Sequence, residues 1–308
     1  MFMHDVNHKL IIDFGAVLKN QRPAGGMMKT AKIAAHFLVK NEEDVIEECI
    51  NQAAMFCDYI LVLDNGSSDR TYEICKNHPR VNYCEQIICV YSDAIRNHLL
   101  EASKDFLTDG ADWFLALSAD HFFDTDPRMD VQRAIEEDSN VITYDVAQYY
   151  LTDKDHINIE SSAESWQNAS VEERIRYYTI NYFNFPVAFK FSTDIVYKNE
   201  VTEWPEMKTK HIASFKPILR HYQFRSIEQL KKRLELRKAE IQKGFKGFRH
   251  YRSFNWADYI FNSDKLYYYD GNGWEYLKKP SLDELLGYTP HWSNRLKQVI
   301  KRIFWRRA

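Results

Sequence analysis

The chain has no uninterrupted apolar run near the roughly 20 residues needed to span a bilayer, so no membrane span is expected. The stretch from Leu10 to Leu18 is short and interrupted by Asp13, and it does not have the layout of a signal peptide. There is no CxxC pair. The five cysteines, Cys49, Cys57, Cys75, Cys84 and Cys89, are odd in number and confined to the first third. That argues against a disulfide frame or a thiolate zinc site, and for reduced thiols in a cytosolic setting. A large excess of charge is also missing. The formal net charge is −3, so no global field draws the chain to polyanions. Finally, no internal repeat and no low-complexity linker divides it, which favours one main domain with an appended lobe.

What is present is ample apolar material: 308 residues, 45% of them hydrophobic, enough for a sizeable core plus a smaller lobe. Lys32 to Val39 is a buried-strand candidate. Val45, Ile46, Cys49, Ile50 and Ala53 follow at helical spacing. Tyr59 to Leu63 is a second strand, closed by Asp64. Asn65 to Ser68 is a turn, and Asp69 can cap a helix starting near Arg70. Val81 to Cys84 is a third strand, Ser92 to Thr108 a helix, and Asp112 to Leu117 a fourth strand followed by a loop to Asp126. Beyond Val141 the pattern is mixed: one or two strands to Tyr150, no clear period over 153–185, then a helix opened by Ser226 and Gln229 as a capping box, with Gly244 near its end.

Strands alternating with helices of this length predict an α/β fold with a mainly parallel sheet. In such sheets ligands bind beyond the carboxyl ends of the strands. Polar clusters stand at three such ends: Asn41 and Glu42; Asp64 to Asp69; Asp120 and His121. All three are expected to face one crevice.

The run Val39 to Glu42, the segment LVLDNGSSDRT from Leu61 to Thr71 and WFLALSADHFF from Trp113 to Phe123 together resemble family 2 glycosyltransferases of the GT-A fold. HYQFRSIEQLKKR, from His221 to Arg233, resembles them more loosely. The resemblance implies a nucleotide-sugar pocket at Asn41, Glu42, Asp64, Asn65 and Ser67, joined by Arg96, Ser118 and Ala119. A carboxylate such as Asp64 can accept from a base N–H or a ribose hydroxyl. For Glu42 the other reading is a helix N-terminal charge favoured by the dipole. Asp93 and Arg96 read either as a helix beside the phosphates or as a local surface pair.

The resemblance also implies a divalent cation, Mn²⁺ or Mg²⁺, at an Asp-x-Asp motif ending the fourth strand. Here the motif is Ser118-Ala119-Asp120, so the first carboxylate is absent. Asp120 is the expected ligand, with His221 as a second from a late loop. His121 is open between a supplementary ligand and a non-ligating loop histidine. Asp124 and Asp126 are expected as turn and cap residues before Pro127. Sugar transfer in such enzymes inverts the anomeric centre, and Glu203 is the candidate base, with Glu206 and Asp194 as rivals. Trp204 stands where a second acid is expected.

The organisation implied is an extension over 1–27, a GT-A-like catalytic domain over 28–225, and a helical, aromatic-rich, basic lobe over 226–308. Residues 225–252 hold ten Lys or Arg against three Glu, with Phe245, Phe248, Tyr251 and Phe254 interleaved. A solvated face is the default there, and nucleic acid is not expected as a partner. In 291–308 a basic helix with Trp292, Leu296, Val299, Ile300, Ile303 and Phe304 on one face suits either an anionic membrane surface or docking on the domain. The expected partners are a nucleotide-sugar donor and a glycan or lipid-linked acceptor. The expected location is cytoplasmic, peripheral on the inner face of the cell membrane. Ser118 motivates an alternative, a GT-A-fold protein that binds without transferring.

Overall fold

The computed structural model describes residues 30–155, 169–199, 202–242 and 253–271. The expectations for 1–27 and 291–308, and those for Gly244, Phe245, Phe248 and Tyr251, lie outside them. Every element below belongs to the unit that begins at Ala31.

In chain order these are β1 (Ile33–Val39), α1 (Ile46–Phe56), β2 (Tyr59–Asp64), α2 (Thr71–Asn77), β3 (Tyr83–Gln86), a 3₁₀ turn (Asp93–Arg96) running into α3 (Asn97–Ser103), β4 (Trp113–Leu117), β5 (His121–Phe123) and α4 (Pro127–Glu136). Then come β6 (Val141–Tyr150), α5 (Val171–Arg174), β7 (Tyr177–Lys190), β8 (Ile218–His221), α6 (Ile227–Gln242) and β9 (Tyr267–Tyr268). The strands form one mixed sheet in the order β3-β2-β1-β4-β7-β6-β8-β5, with β9 against β7. β3, β2, β1 and β4 run parallel, as the α/β reading expects. β7 enters antiparallel to β4 and β6, and β8 lies parallel to β6.

The alternation of strand side chains decides the layers. Ile33, Ala35, Phe37 and Val39 of β1 join α1, α4 and α6 in one apolar cluster through Ile46, Ile50, Val131, Ala134, Leu230 and Leu234. Ala34 and Leu38 of the same strand face the other way, onto Leu99 and Leu100 of α3. Both faces of the parallel half are therefore covered, which is why β1 and β4 are near-continuous apolar runs. Each aliphatic side chain so buried is worth about 1.5–3 kcal/mol.

Several sequence expectations move. The third strand lies two residues later than expected. The helix expected over Ser92–Thr108 is a 3₁₀ turn plus a short α3, because Phe106 and Leu107 turn back onto the Ser103 carbonyl and Asp112 accepts from Thr108 N at 2.8 Å. The loop after β4 contains β5. The stretch 153–185 without clear period holds the start of β7, the longest strand. Its aromatic residues mask a two-residue alternation, and Pro186 sits at the register irregularity opposite Thr143, where a missing N–H is tolerated. The Ser226 hydroxyl accepts from Gln229 N at 3.0 Å, but the Gln229 side chain reaches Arg225 N at 3.4 Å rather than Ser226 N, so the capping box is half made.

Candidate active site

The rim is built where β1 and β2 end side by side, Val39 opposite Asp64. Asp64 is fully buried. Its Oδ1 accepts from Ser67 N at 2.8 Å and Gln86 Nε2 at 2.9 Å, and its Oδ2 accepts from the Ser67 hydroxyl. Ser67 Oγ in turn accepts from Asn41 N at 2.8 Å, and Asn41 Oδ1 from Ser68 N at 2.7 Å. Asn41 can take this position because its φ is 56°, a region asparagine tolerates. With its amide turned to donate, Asn65 gives N–H groups to the carbonyls of Ile87 and Cys89, each at 3.1 Å. Gly66, at φ 72°, makes the turn between them. Asn41, Asn65 and Ser67, expected to line a nucleotide pocket, spend their side chains on hydrogen bonds between the loops that follow β1 and β2. Asp69 is not the N-cap of α2, a position Arg70 holds; it stands one residue earlier and accepts from Thr71 N at 2.9 Å.

Asp120 lies at the centre, 2% exposed, just past β4. Its carbonyl accepts from Tyr222 N at 2.9 Å, which ties it to the segment leaving β8. The antiparallel pairing of β5 with β8 sets His121 directly opposite His221. Their rings are 4.8 Å apart, and His221 Nε2 is 3.3 Å from Asp120 Oδ2. The Ser118 N–H donates to His121 Nδ1 at 3.2 Å, which leaves the proton of the neutral ring on Nε2. Burial, with His221 adding, pushes the His121 imidazole down to about 3, so it is neutral. Burial alone would raise the Asp120 carboxyl, yet His221, Arg233 and His121 hold it well below the ordinary carboxylate range.

Two arginines close this centre. Arg225, with no exposed surface, donates from Nε and Nη2 to the two oxygens of Asp44 at 2.9 and 2.8 Å, from Nη2 to Glu42, and from Nη1 to the Tyr222 carbonyl at 2.9 Å. Its Nη1 is 3.8 Å from Asp120 Oδ2. Arg233, on α6, spans Glu42 Oε1 at 3.4 Å and Asp120 Oδ2 at 3.5 Å. Glu42 therefore belongs with Asp120, and its charge is met by arginines rather than only by a helix terminus.

Asp120, His121 and His221 each offer one ligand atom, all within 4.8 Å of one another. A donor set of one carboxylate and two imidazoles fits a divalent cation.

Glu203 enters from the other side. Asp93, buried to 1% exposure, accepts from both Thr202 N and Glu203 N at 2.7 Å. This grips the turn at which Glu203 takes a φ of 63°. Burial pushes the Glu203 carboxyl up, with Arg96 pulling the other way. Arg96 is buried, and its Nη1 has no hydrogen-bond partner among the described residues. Asp93 and Arg96 are thus a buried pair flanking Glu203 and not a surface pair. The rivals are engaged elsewhere: Glu206 with Lys198 at 2.8 Å and Asp194 with Lys208 at 3.0 Å, both at the surface. Trp204 packs edge-on to Phe189. Asp126 caps α4 through Arg128 N at 2.8 Å, as expected, and Asp124 pairs with Arg220.

Ser118 is half-buried, Ala119 buried. Sequence reasoning gave Asp44, Arg225 and Arg233 no place in the site, and it named Asp93 without its grip on Glu203. The spacing from His221 to Arg225 is a faint signal. Nothing local marks Asp44, whose partner Arg225 lies 181 positions away.

No curated protein matches the chain. Among solved structures, the crystal structure of residues 1–349 of S. aureus TarS is 14% identical with a TM-score of 0.39, covering 70% of this chain and 67% of that one. A mycobacterial protein is 16% identical with a TM-score of 0.29, covering 52% of this chain, which spans about half (53%) of that one. A 4-diphosphocytidyl-2C-methyl-D-erythritol synthase is 14% identical with a TM-score of 0.30, covering 52% and 75%. The family model described as Glycosyl transferase family 2 matches residues 37–203, from β1 to Glu203. With more than half of its length so matched, the chain belongs to glycosyl transferase family 2.

Proposed function

We propose that the protein transfers a sugar from a nucleotide-diphosphate donor to a hydroxyl of a glycan or lipid-linked acceptor, with inversion. The observation that carries this reading is the convergence of Glu42 and Asp120, bridged by Arg233, beside Asp64 at one edge of the sheet.

In this reading Asp64 accepts a hydrogen bond from the donor's base or ribose, using the lone pair its internal partners leave over. Asn41, Glu42, Asn65, Ser67, Ser118 and Ala119 form the walls, and the Arg96 guanidinium is available to the diphosphate. Asp120 and His221 would hold the cation, Mn²⁺ or Mg²⁺, which when bound supplies positive charge against the leaving diphosphate. Glu203 takes the proton from the acceptor hydroxyl. That oxygen bonds to the anomeric carbon as the carbon–oxygen bond to the diphosphate breaks, and one displacement inverts the centre. A carboxyl raised by burial is better matched to a neutral-pH base than an ordinary one.

Calorimetry with a panel of nucleotide sugars and Mn²⁺ tests the reading. Asp64→Asn and Asp120→Asn each weaken donor binding about tenfold or more. Glu203→Gln keeps donor affinity and lowers turnover at least a hundredfold. Unchanged affinity in both aspartate variants would overturn the proposal. The alternative, a binding protein that does not transfer, rests on Ser118. A folded wild type that binds donor but neither transfers nor hydrolyses it selects that alternative.

No helix among the described residues is long and apolar enough to cross a membrane. An anionic membrane surface as a partner, and a position on the inner face of the cell membrane, remain proposals resting on the basic pattern of 291–308. The boundaries 28–225 and 226–308 stand as a proposal too, with α6 lending Arg233 to the site across them.

A further inference from the structure

The serine at 118 removes a carboxylate from the end of β4, while the chain sets a second imidazole beside Asp120. We propose that His121 takes the place of the missing carboxylate as a third protein ligand, making the site favour first-row transition cations, Co²⁺ ahead of Mn²⁺, over Mg²⁺. This rests on the reading of the site as one that uses a divalent cation.

Four observations carry it. The ligand atoms of Asp120, His121 and His221 lie within 4.8 Å of one another, and this is a group of three, not of two. The pairing of β5 with β8 fixes both histidines at one register position, so the second imidazole is built in by the sheet and not contributed by a free loop. His121 is held in place: its ring packs edge-on to Phe185 at 5.4 Å and to His221 at 4.8 Å, and its carbonyl accepts from Cys49 Sγ at 2.9 Å. Asp120 and His121 are 2% and 5% exposed, so the first two ligands present themselves with little water around them.

The chemistry then discriminates. Mg²⁺ demands oxygen ligands and gives up its waters reluctantly. Imidazole nitrogens raise affinity along the first-row series from Mn²⁺ through Co²⁺, with Mn²⁺, itself suited by oxygen ligands, gaining least. A site that has lost a carboxylate and gained an imidazole shifts in that direction. The competitor for the His121 lone pair is the hydrogen bond from Ser118 N, at 3.2 Å a long one.

The test uses the full chain and metal salts alone, without donor. Calorimetry with MnCl₂, CoCl₂ and MgCl₂ is expected to give the tightest binding for Co²⁺, with Mn²⁺ next and Mg²⁺ weakest. Pulsed electron paramagnetic resonance of the Mn²⁺-loaded protein counts coordinated nitrogens, and two are expected. Ser118→Asp returns an oxygen ligand and narrows the Mn²⁺ to Mg²⁺ gap. His121→Gln lowers Mn²⁺ affinity and leaves one nitrogen. One coordinated nitrogen in the wild type, or equal affinity for Mg²⁺ and Mn²⁺, would overturn the proposal whether or not the His121 variant folds. Because no donor is present, a failed nucleotide-sugar screen leaves this result standing, and a one-nitrogen site with intact transfer sinks this inference alone.

Discussion

Arg225 shows how much one side chain can organise here. Its guanidinium is buried and meets Asp44 in a two-pronged pair, Glu42 through Nη2 and the Tyr222 carbonyl through Nη1. Replacing one partner of such a set strands the others, at about 3–5 kcal/mol. Arg225→Leu is expected to lower unfolding stability by that amount in urea titration. Arg225→Lys recovers only part, since an ammonium cannot reproduce the fork. A loss under about 1 kcal/mol for Arg225→Leu would show that the pairs stabilise little. Asp93 grips the backbone of Thr202 and of Glu203, the proposed base. Asp93→Ala is expected to cut turnover about tenfold or more while donor affinity stays within about twofold, because positioning of the base, not binding, is lost. Equal losses in both would assign Asp93 to general stability.

Among the elements, α4 carries a pH-dependent contribution. Asp130 hydrogen-bonds with Tyr144 at 3.3 Å, and burial pushes its carboxyl up to about 6 from 3.8. A carboxyl raised in the folded state favours folding below its unfolded value, and that contribution is lost as pH rises through about 6. A shift of this size corresponds to about 3 kcal/mol at full burial, and partial exposure reduces it to about 1–2. The wild type is therefore expected to lose stability relative to Asp130→Asn between about pH 4 and pH 7 in thermal melts. Parallel profiles for the two proteins would remove this account. The pair β5 and β8 is the other decisive element. Strands of three and four residues are weak alone, yet their register sets His121 against His221.

At the level of the whole molecule, site and fold are linked by mass action. A cation or donor that binds only the folded chain raises its stability, by about 2.7 kcal/mol at a hundredfold excess over Kd. Mn²⁺ is expected to raise Tm in the wild type and not in Asp120→Asn, as read by thermal-shift fluorimetry. A rise of the same size in both would move the cation to another place.

The alternation of strands and helices through β4, and the three polar strand ends, follow from local chemistry. Period, turn residues and apolar runs are properties of neighbouring positions, so a single chain displays them. That is why β1, β2 and β4 fall close to where they are expected, with Asp64 at the end of β2 and Asp120 just past β4. The joining of Glu42 to Arg225 across 183 positions, the facing histidines of β5 and β8, and the grip of Asp93 on Glu203 were not legible in the sequence. Such contacts depend on sheet order and register, which are settled only when distant strands compete for the same core. β7 makes the same point: its tyrosines and phenylalanines suit several local structures, and only pairing with β4 and β6 selects the strand.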